Sequence, residues 1–409
     1  MIGEKPGVTP DDAAQRLAER GLPPGTTVEQ YAEILRKRIG TTFFNEWNVE
    51  AFGPKFPRPV VAFNTQVTRD SIRHLVDGRG DINPLFRDHE YARKTKYRCM
   101  IAPPTILYSI VSGHHPVPYN SLEWYSVYGG DDIEWFCPIV EGDDVDYRTT
   151  IPTAVEVRET KTHGKAIFHY ARHEYLRRGG IPIATSNFWT VLRQMDGHEG
   201  IIQERKTSIP SYTKEQIAAI HEEQDREEVR GALPRYWEDV TVGQVLPRIL
   251  RGPHTVMESV AWNSGAFGSR LYISDRLFRI LIENSGSFAV WDPHFNMWRN
   301  DHDDFFDKGR HGGYGTQRAS WIEMVITNWM GDDGFLWKLR SEHRKYGGYG
   351  WVYACSAVVV RKFGDRGRHC VELTCRIENQ DGAEILRGSA TVILPSRDRE
   401  YVSYPAQRP

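Results

Sequence analysis

Apolar and polar positions alternate along this chain in two long runs of the same kind. In the first, Thr68 precedes a segment in which Ile72, Leu75 and Val76 share one helical face, and Gly78 and Gly80 end it. Residues 101–112 open at Ala102-Pro103-Pro104 and continue apolar nearly all round, which predicts a buried helix stopped by Gly113. Alternating stretches follow at 132–138, 145–158, 166–176 and 183–192, with turn residues at Gly142, Gly164 and Gly179-Gly180. That pattern is an antiparallel meander.

The order then repeats. Residues 236–246 open the second run, and 255–264 form a short capped helix closing at Gly265. Tyr314-Gly315-Thr316-Gln317-Arg318 leads into a second buried helix over 319–329, which Gly331 ends. Strands are expected at 336–345, 351–362, 370–379 and 384–394. One buried helix followed by several antiparallel strands, twice over, predicts an α+β chain built on a two-unit repeat. The expected divisions are a polar N-terminal arm (1–40), a first unit (41–194), a charged linker (195–232), a second unit (233–396) and a tail (397–409). The linker, rich in Glu, Lys and Arg, is expected to be a solvated face rather than a binding element.

The chemistry concentrates after the first short helix, at Gly80-Asp81-Ile82-Asn83-Pro84-Leu85. Pro84 biases Asn83 toward extended geometry, so Asp81 and Asn83 point the same way from a tight loop. A carboxylate beside an amide orients and deprotonates water; the same residues also simply build a turn. With Asp88 and Ala92, the stretch resembles the Gly-Asp-x-Asn-Pro-Leu-His-x-Asp-x-x-x-Ala signature of MaoC-like enoyl-CoA hydratases. Phe86 stands where that signature has its histidine. Tyr91, Thr95, Tyr97 and Ala102-Pro103-Pro104 are similar to the dehydratase domain related to a fatty-acid synthase module.

The resemblance implies a tandem hot-dog fold, two buried helices each wrapped by an antiparallel sheet, over residues 40–395. It implies hydration or dehydration of a 2-enoyl-CoA or 3-hydroxyacyl-CoA thioester. Asp81 is then the expected general base, oriented by Asn83, and the buried-helix starts supply donors for the enolate oxygen. Prolines 103 and 104 remove two such donors, leaving Ala102 among those kept. Relatives of the second half carry a His-x-Asp pair, which His302 and Asp304 fit with a short deletion; without a gap Met297 falls there. His302 is the expected second proton-transfer group, and a hydrated acidic loop is the plain alternative. Tyr314 and Gly315 belong to a glycine turn suited to an oxyanion or a thioester, and Arg318 either meets a carboxylate or CoA phosphate or pairs with Glu323 or an acidic neighbour.

Two other functions stay open: hydrolysis of the thioester, and a non-catalytic acyl-CoA-binding subunit, which Phe86 favours. CoA enters only as part of the substrate, and no separate cofactor is expected because no dinucleotide fingerprint occurs. His294, His302 and His311 match no metal spacing. With 52 basic and 54 acidic residues among 409, the chain gives no reason to expect nucleic acid. It shows no apolar run of membrane length and no leader peptide, so a cytoplasmic enzyme without a membrane partner is the expectation; the expected assembly is a homo-oligomer. The five cysteines show no metal spacing, and Cys355 and Cys375 are expected in the core.

Overall fold

The computed structural model describes residues 25–41, 64–110, 124–160, 164–194, 209–268, 313–399 and 401–406. Helix α1 (Val28–Arg36) lies in the arm. The first unit holds α2 (Arg69–Arg79), α3 (Pro84–Arg87), α4 (His89–Lys94), a 3-10 turn over Pro104–Ile106, and α5 (Leu107–Ile110). Its strands are β1 (Trp124–Trp135), β2 (Val145–Thr160), β3 (Gly164–Arg177) and β4 (Ile181–Gln194). Helix α6 (Lys214–Asp225) leads into β5 (Ile249–Arg251), α7 (Val256–Phe267) and α8 (Gly315–Met330). Then come β6 (Phe335–His343), β7 (Tyr353–Asp365), β8 (Arg368–Asn379) and β9 (Glu384–Leu394).

All nine strands form one sheet in the order β2-β3-β4-β1-β6-β9-β8-β7-β5. The halves meet at an antiparallel seam in which Gly130 to Glu134 pair with Glu342 to Lys338. A double hot-dog results: the second half of the sheet wraps α8, whose residues from Thr316 to Met330 are all buried. Leu339, Cys355, Leu373, Cys375 and Val392 belong to the same core as its Trp321, Val325 and Trp329.

The short helices α2 and α7 cross the repeat, and glycines allow it. A Cβ on Gly78 would stand 2.5 Å from the Ala261 carbonyl oxygen, and one on Gly265 would run into the His74 carbonyl. Gly265 is therefore a crossing residue inside α7, not its stop, and the helix continues to Phe267. Thr68 and Thr255 cap their helices as expected, each bonded to the third backbone N–H.

The arm is not a loose appendage throughout: Tyr31, Ala32 and Leu35 of α1 pack on Trp124, Val155, Ile167 and Leu192. Helix α6 has no buried residue, as its charge pattern predicted. Glu227 just beyond it departs from that picture, reaching inward to Arg251 at 2.7 Å and to Asn328 at 2.9 Å.

Candidate active site

The signature loop forms as the sequence implies. Gly80 ends α2 in the left-handed region (φ 69°), and Asn83 caps α3, accepting from the Leu85 N–H at 3.0 Å. Asp81 and Asn83 are brought together, with Asn83 N–H donating to Asp81 Oδ1 at 2.9 Å. The surroundings of the carboxylate were not foreseen. Asp81 is 1% exposed, and the Arg79 guanidinium bonds both it and Glu323 from α8. Thr105 closes the cluster, accepting from Arg79 at 3.0 Å and donating to Glu323 at 2.7 Å. The two carboxylates hold the Arg79 pKa above its ordinary value despite burial.

This arrangement sets Asp81 in a buried ion cluster rather than at an open water site. A general base needs a free lone pair facing the reacting water. Here each oxygen already has a partner, a cation on one and a backbone donor on the other, and the site is closed to solvent. Phe86 fits the same closure: its ring lies 5.9 Å from the Arg79 guanidinium, where a protonated histidine would meet like charge. Ala102 is also corrected as an oxyanion donor, since its N–H is spent on the Ile139 carbonyl at 2.8 Å. Arg318 and Glu323 form no ion pair; Glu323 Oε2 meets Arg79 and Thr105 instead.

The start of α8 is built differently. Its N-cap, Tyr314, makes no side-chain cap bond to the first-turn N–H groups. A Cβ on Gly313 would lie 2.9 Å from Gln317 Oε1 and 3.0 Å from His254 Nε2. One on Gly315 would lie 2.5 Å from the Tyr128 ring and 2.9 Å from His343 Nε2. Only glycine lets the backbone approach these groups.

Arg318, in the first turn, is 5% exposed and makes no ion pair among the described residues; burial pushes its pKa down. Among the described residues, Thr316 Oγ1, Gln317 Oε1, Arg318 Nε and both ring nitrogens of His343 are buried without hydrogen-bond partners. His343 as a residue is half-buried, but its ring nitrogens are not. Burial, then the Arg318 charge, holds its pKa well below the usual imidazole range, so the ring is neutral at neutral pH.

Tyr128 links this turn to the seam. Its ring centroid is 5.2 Å from that of His343. Nearby, Tyr108 and Ser341 donate to Asp131 at 2.5 and 2.7 Å. Burial raises the Asp131 pKa, and the Tyr108, Tyr128 and Ser341 hydroxyls oppose that rise.

Tyr314, Gly315 and Arg318 are thus together, and Asp81 and Asn83 are together, but the two groups are apart. Glu323 lies eight residues beyond Gly315, about 12 Å along a helix axis. His302, His294 and His311 lie outside the described residues. His89 sits at the surface near Glu141, at 3.8 Å. His343 was missed by sequence reasoning: it ends an alternating strand, and its spacing marks it as nothing but a strand residue.

Residues 58–186 match the family profile of the FAS1-like, dehydratase domain region. That match takes in the signature loop and covers less than half of the chain. Two relatives, both UPF0336 proteins, match over 91 residues. The one from Parafrankia sp. (strain EAN1pec) is 36% identical and the one from Thermobifida fusca (strain YX) is 37% identical. Each match spans 21% of this chain and 60% of the relative, so the chain covers less than two thirds of either. A solved structure described as a MaoC-like dehydratase aligns over 88% of this chain and 99% of its own, with a TM-score of 0.56 and 14% identity. At that identity the likeness is one of fold. Among the described residues, no helix is long and apolar enough to cross a membrane.

Proposed function

We propose that this chain is a hydro-lyase that adds or removes water across a 2-enoyl-CoA/3-hydroxyacyl-CoA thioester, with its reacting centre at the start of α8. One observation carries this reading. A half-buried helix N-terminus without a side-chain cap from Tyr314, approached through Gly313 and Gly315, stands beside a buried guanidinium, Arg318, without an acid partner among the described residues. A developing enolate oxygen is the anion such a place favours, because first-turn N–H groups and the helix dipole favour negative charge there.

Hydration adds hydroxide from water to the β-carbon and a proton to the α-carbon. The neutral imidazole of His343 is suited to accept the proton of the attacking water, which later returns to the α-carbon. His302, in the segment leading to the turn, is the second candidate for that transfer. The closure of the first-unit signature by Arg79, Glu323 and Phe86 favours one reacting centre per chain. The family match of residues 58–186 supports the reaction class, and the acyl group is left unassigned.

The test is a panel of 2-enoyl-CoA thioesters incubated with the protein. Absorbance of the conjugated thioester and release of free thiol are followed in parallel. Loss of conjugation without thiol release, abolished in Arg318→Gln and retained in Asp81→Asn, is expected. Thiol release would make the protein a thioesterase. Turnover lost in Asp81→Asn but kept in Arg318→Gln would move the reacting centre back to the signature loop.

A further inference from the structure

A second recessed site lies at the other end of α8, about 15 Å along the helix from Gly315. Residues leaving the charged segment, those entering β5, and Val325, Asn328 and Trp329 of α8 enclose a cavity of about 320 Å³. That is the lower end of small-ligand pockets. Its walls carry Arg230, Arg235 and Arg248 against one carboxylate, Glu228.

The three arginines differ in how their charge is met. Arg248 forms a bidentate pair with Glu223, at 2.6 and 2.9 Å. Arg235 donates Nε to the Trp329 carbonyl at 2.6 Å and lies 4.7 Å over the Trp329 ring. Arg230 donates to the carbonyls of Leu233 at 3.0 Å and Pro234 at 2.9 Å. These bonds fix both guanidiniums in place without neutralising them, and neither makes an ion pair among the described residues. Asp239, the acid that faces Arg235, is shared bidentately with Arg397 at 2.7 and 2.8 Å. The Arg235 pKa is pushed down to about 10, by burial first and by the Arg230 charge second. Two like charges held together in a recess are an unfavourable arrangement that an entering anion reverses.

We propose that this cavity binds a small organic phosphate. Guanidinium forks match phosphate oxygens in pairs. The rest of the wall suits a compact apolar body: Ile249 and Val325, with Leu233, 68% exposed, at the mouth. The site stands whether or not the proposed hydro-lyase activity is correct. Two sources share this chemistry, a phosphate of the substrate's carrier and a separate phosphorylated metabolite.

The test is calorimetric titration of the full chain with phenyl phosphate and, as an uncharged control, benzyl alcohol. Saturable phenyl phosphate binding that weakens with salt is expected, with none for the alcohol. Arg230→Gln/Arg235→Gln should lose at least tenfold in affinity. Leu233→Asp, at an exposed position that tolerates charge, should also weaken binding by repelling the anion, and it keeps the test decisive if the arginine variant misfolds. Added CoA displaces phenyl phosphate if the carrier is the source and leaves it bound if a separate metabolite is; either supports the site. No saturable binding at millimolar phenyl phosphate, or unchanged affinity in folded Arg230→Gln/Arg235→Gln or Leu233→Asp, would overturn it.

Discussion

Replacing Arg79 by methionine tests what the signature loop does in this chain. Arg79, Asp81 and Glu323 are all at most 1% exposed, so the variant strands two carboxylates in a closed site with only Thr105 and backbone donors. Breaking a buried ion cluster by removing one partner costs about 3–5 kcal/mol. That corresponds to roughly two to three and a half decades in the folding equilibrium. Replacing the whole cluster with neutral groups of similar size removes the stranded charges and is often near neutral. Urea unfolding followed by tryptophan fluorescence should therefore show a large midpoint drop for Arg79→Met. Most of it should return in Arg79→Met/Asp81→Asn/Glu323→Gln, with turnover retained by that triple variant in its folded state. A single variant within about 1 kcal/mol of the parent, or a triple variant no better than the single, would refute the account of Asp81 as a structural anion.

Three further outcomes are expected. Gly315→Ala gains about 1 kcal/mol of helix propensity but sets a methyl group against Tyr128 and His343, so it should cost a net 1–2 kcal/mol by thermal unfolding and remove turnover; a stabilised, active variant would contradict the turn geometry. Arg318→Gln should lower kcat on order 10²–10³-fold with little change in KM, and Arg318→Lys should restore only part, as steady-state kinetics will show. His169 and His173 are buried, which pushes their pKa values down to about 4 and about 3. The unfolded chain therefore binds more protons, and the stability contributed above pH about 6.5 is lost as pH falls toward 4, by up to about 1.4 kcal/mol per unit for each ring. Thermal midpoints should drop steeply over that window and less so in His173→Gln; equal slopes would sink the assignment.

The local elements were legible because their determinants are local. Thr68, Thr255 and Gly331 mark helix ends by their own chemistry, and 384–394 alternates strongly enough to give β9 to the residue. The repeat was legible for the same reason, as an order of elements. The role of Asp81 was not, because its decisive partner Glu323 lies 242 positions further along, on a helix whose apolar pattern says only that it is buried. Arg79 stands two residues away, yet an arginine ending a helix is ordinary and announces no buried ion cluster. Gly265 misled by being where a stop is expected, when tertiary crossing had claimed it. His343 and the cavity around Arg235 depend on which strands and loops meet, which no spacing encodes.

The seam between β1 and β6 has a consequence for how such a protein changes over generations. In a homodimer of identical hot-dog subunits, a substitution at one reacting centre appears at the other, because symmetry makes the two alike. Here both halves run in one chain, so each position varies alone. The ion cluster takes Arg79 and Asp81 from one half and Glu323 from the other. One chain can thus close its first loop with an ion cluster drawn from both halves while the second half keeps a different turn, an asymmetry that identical subunits have no means to inherit.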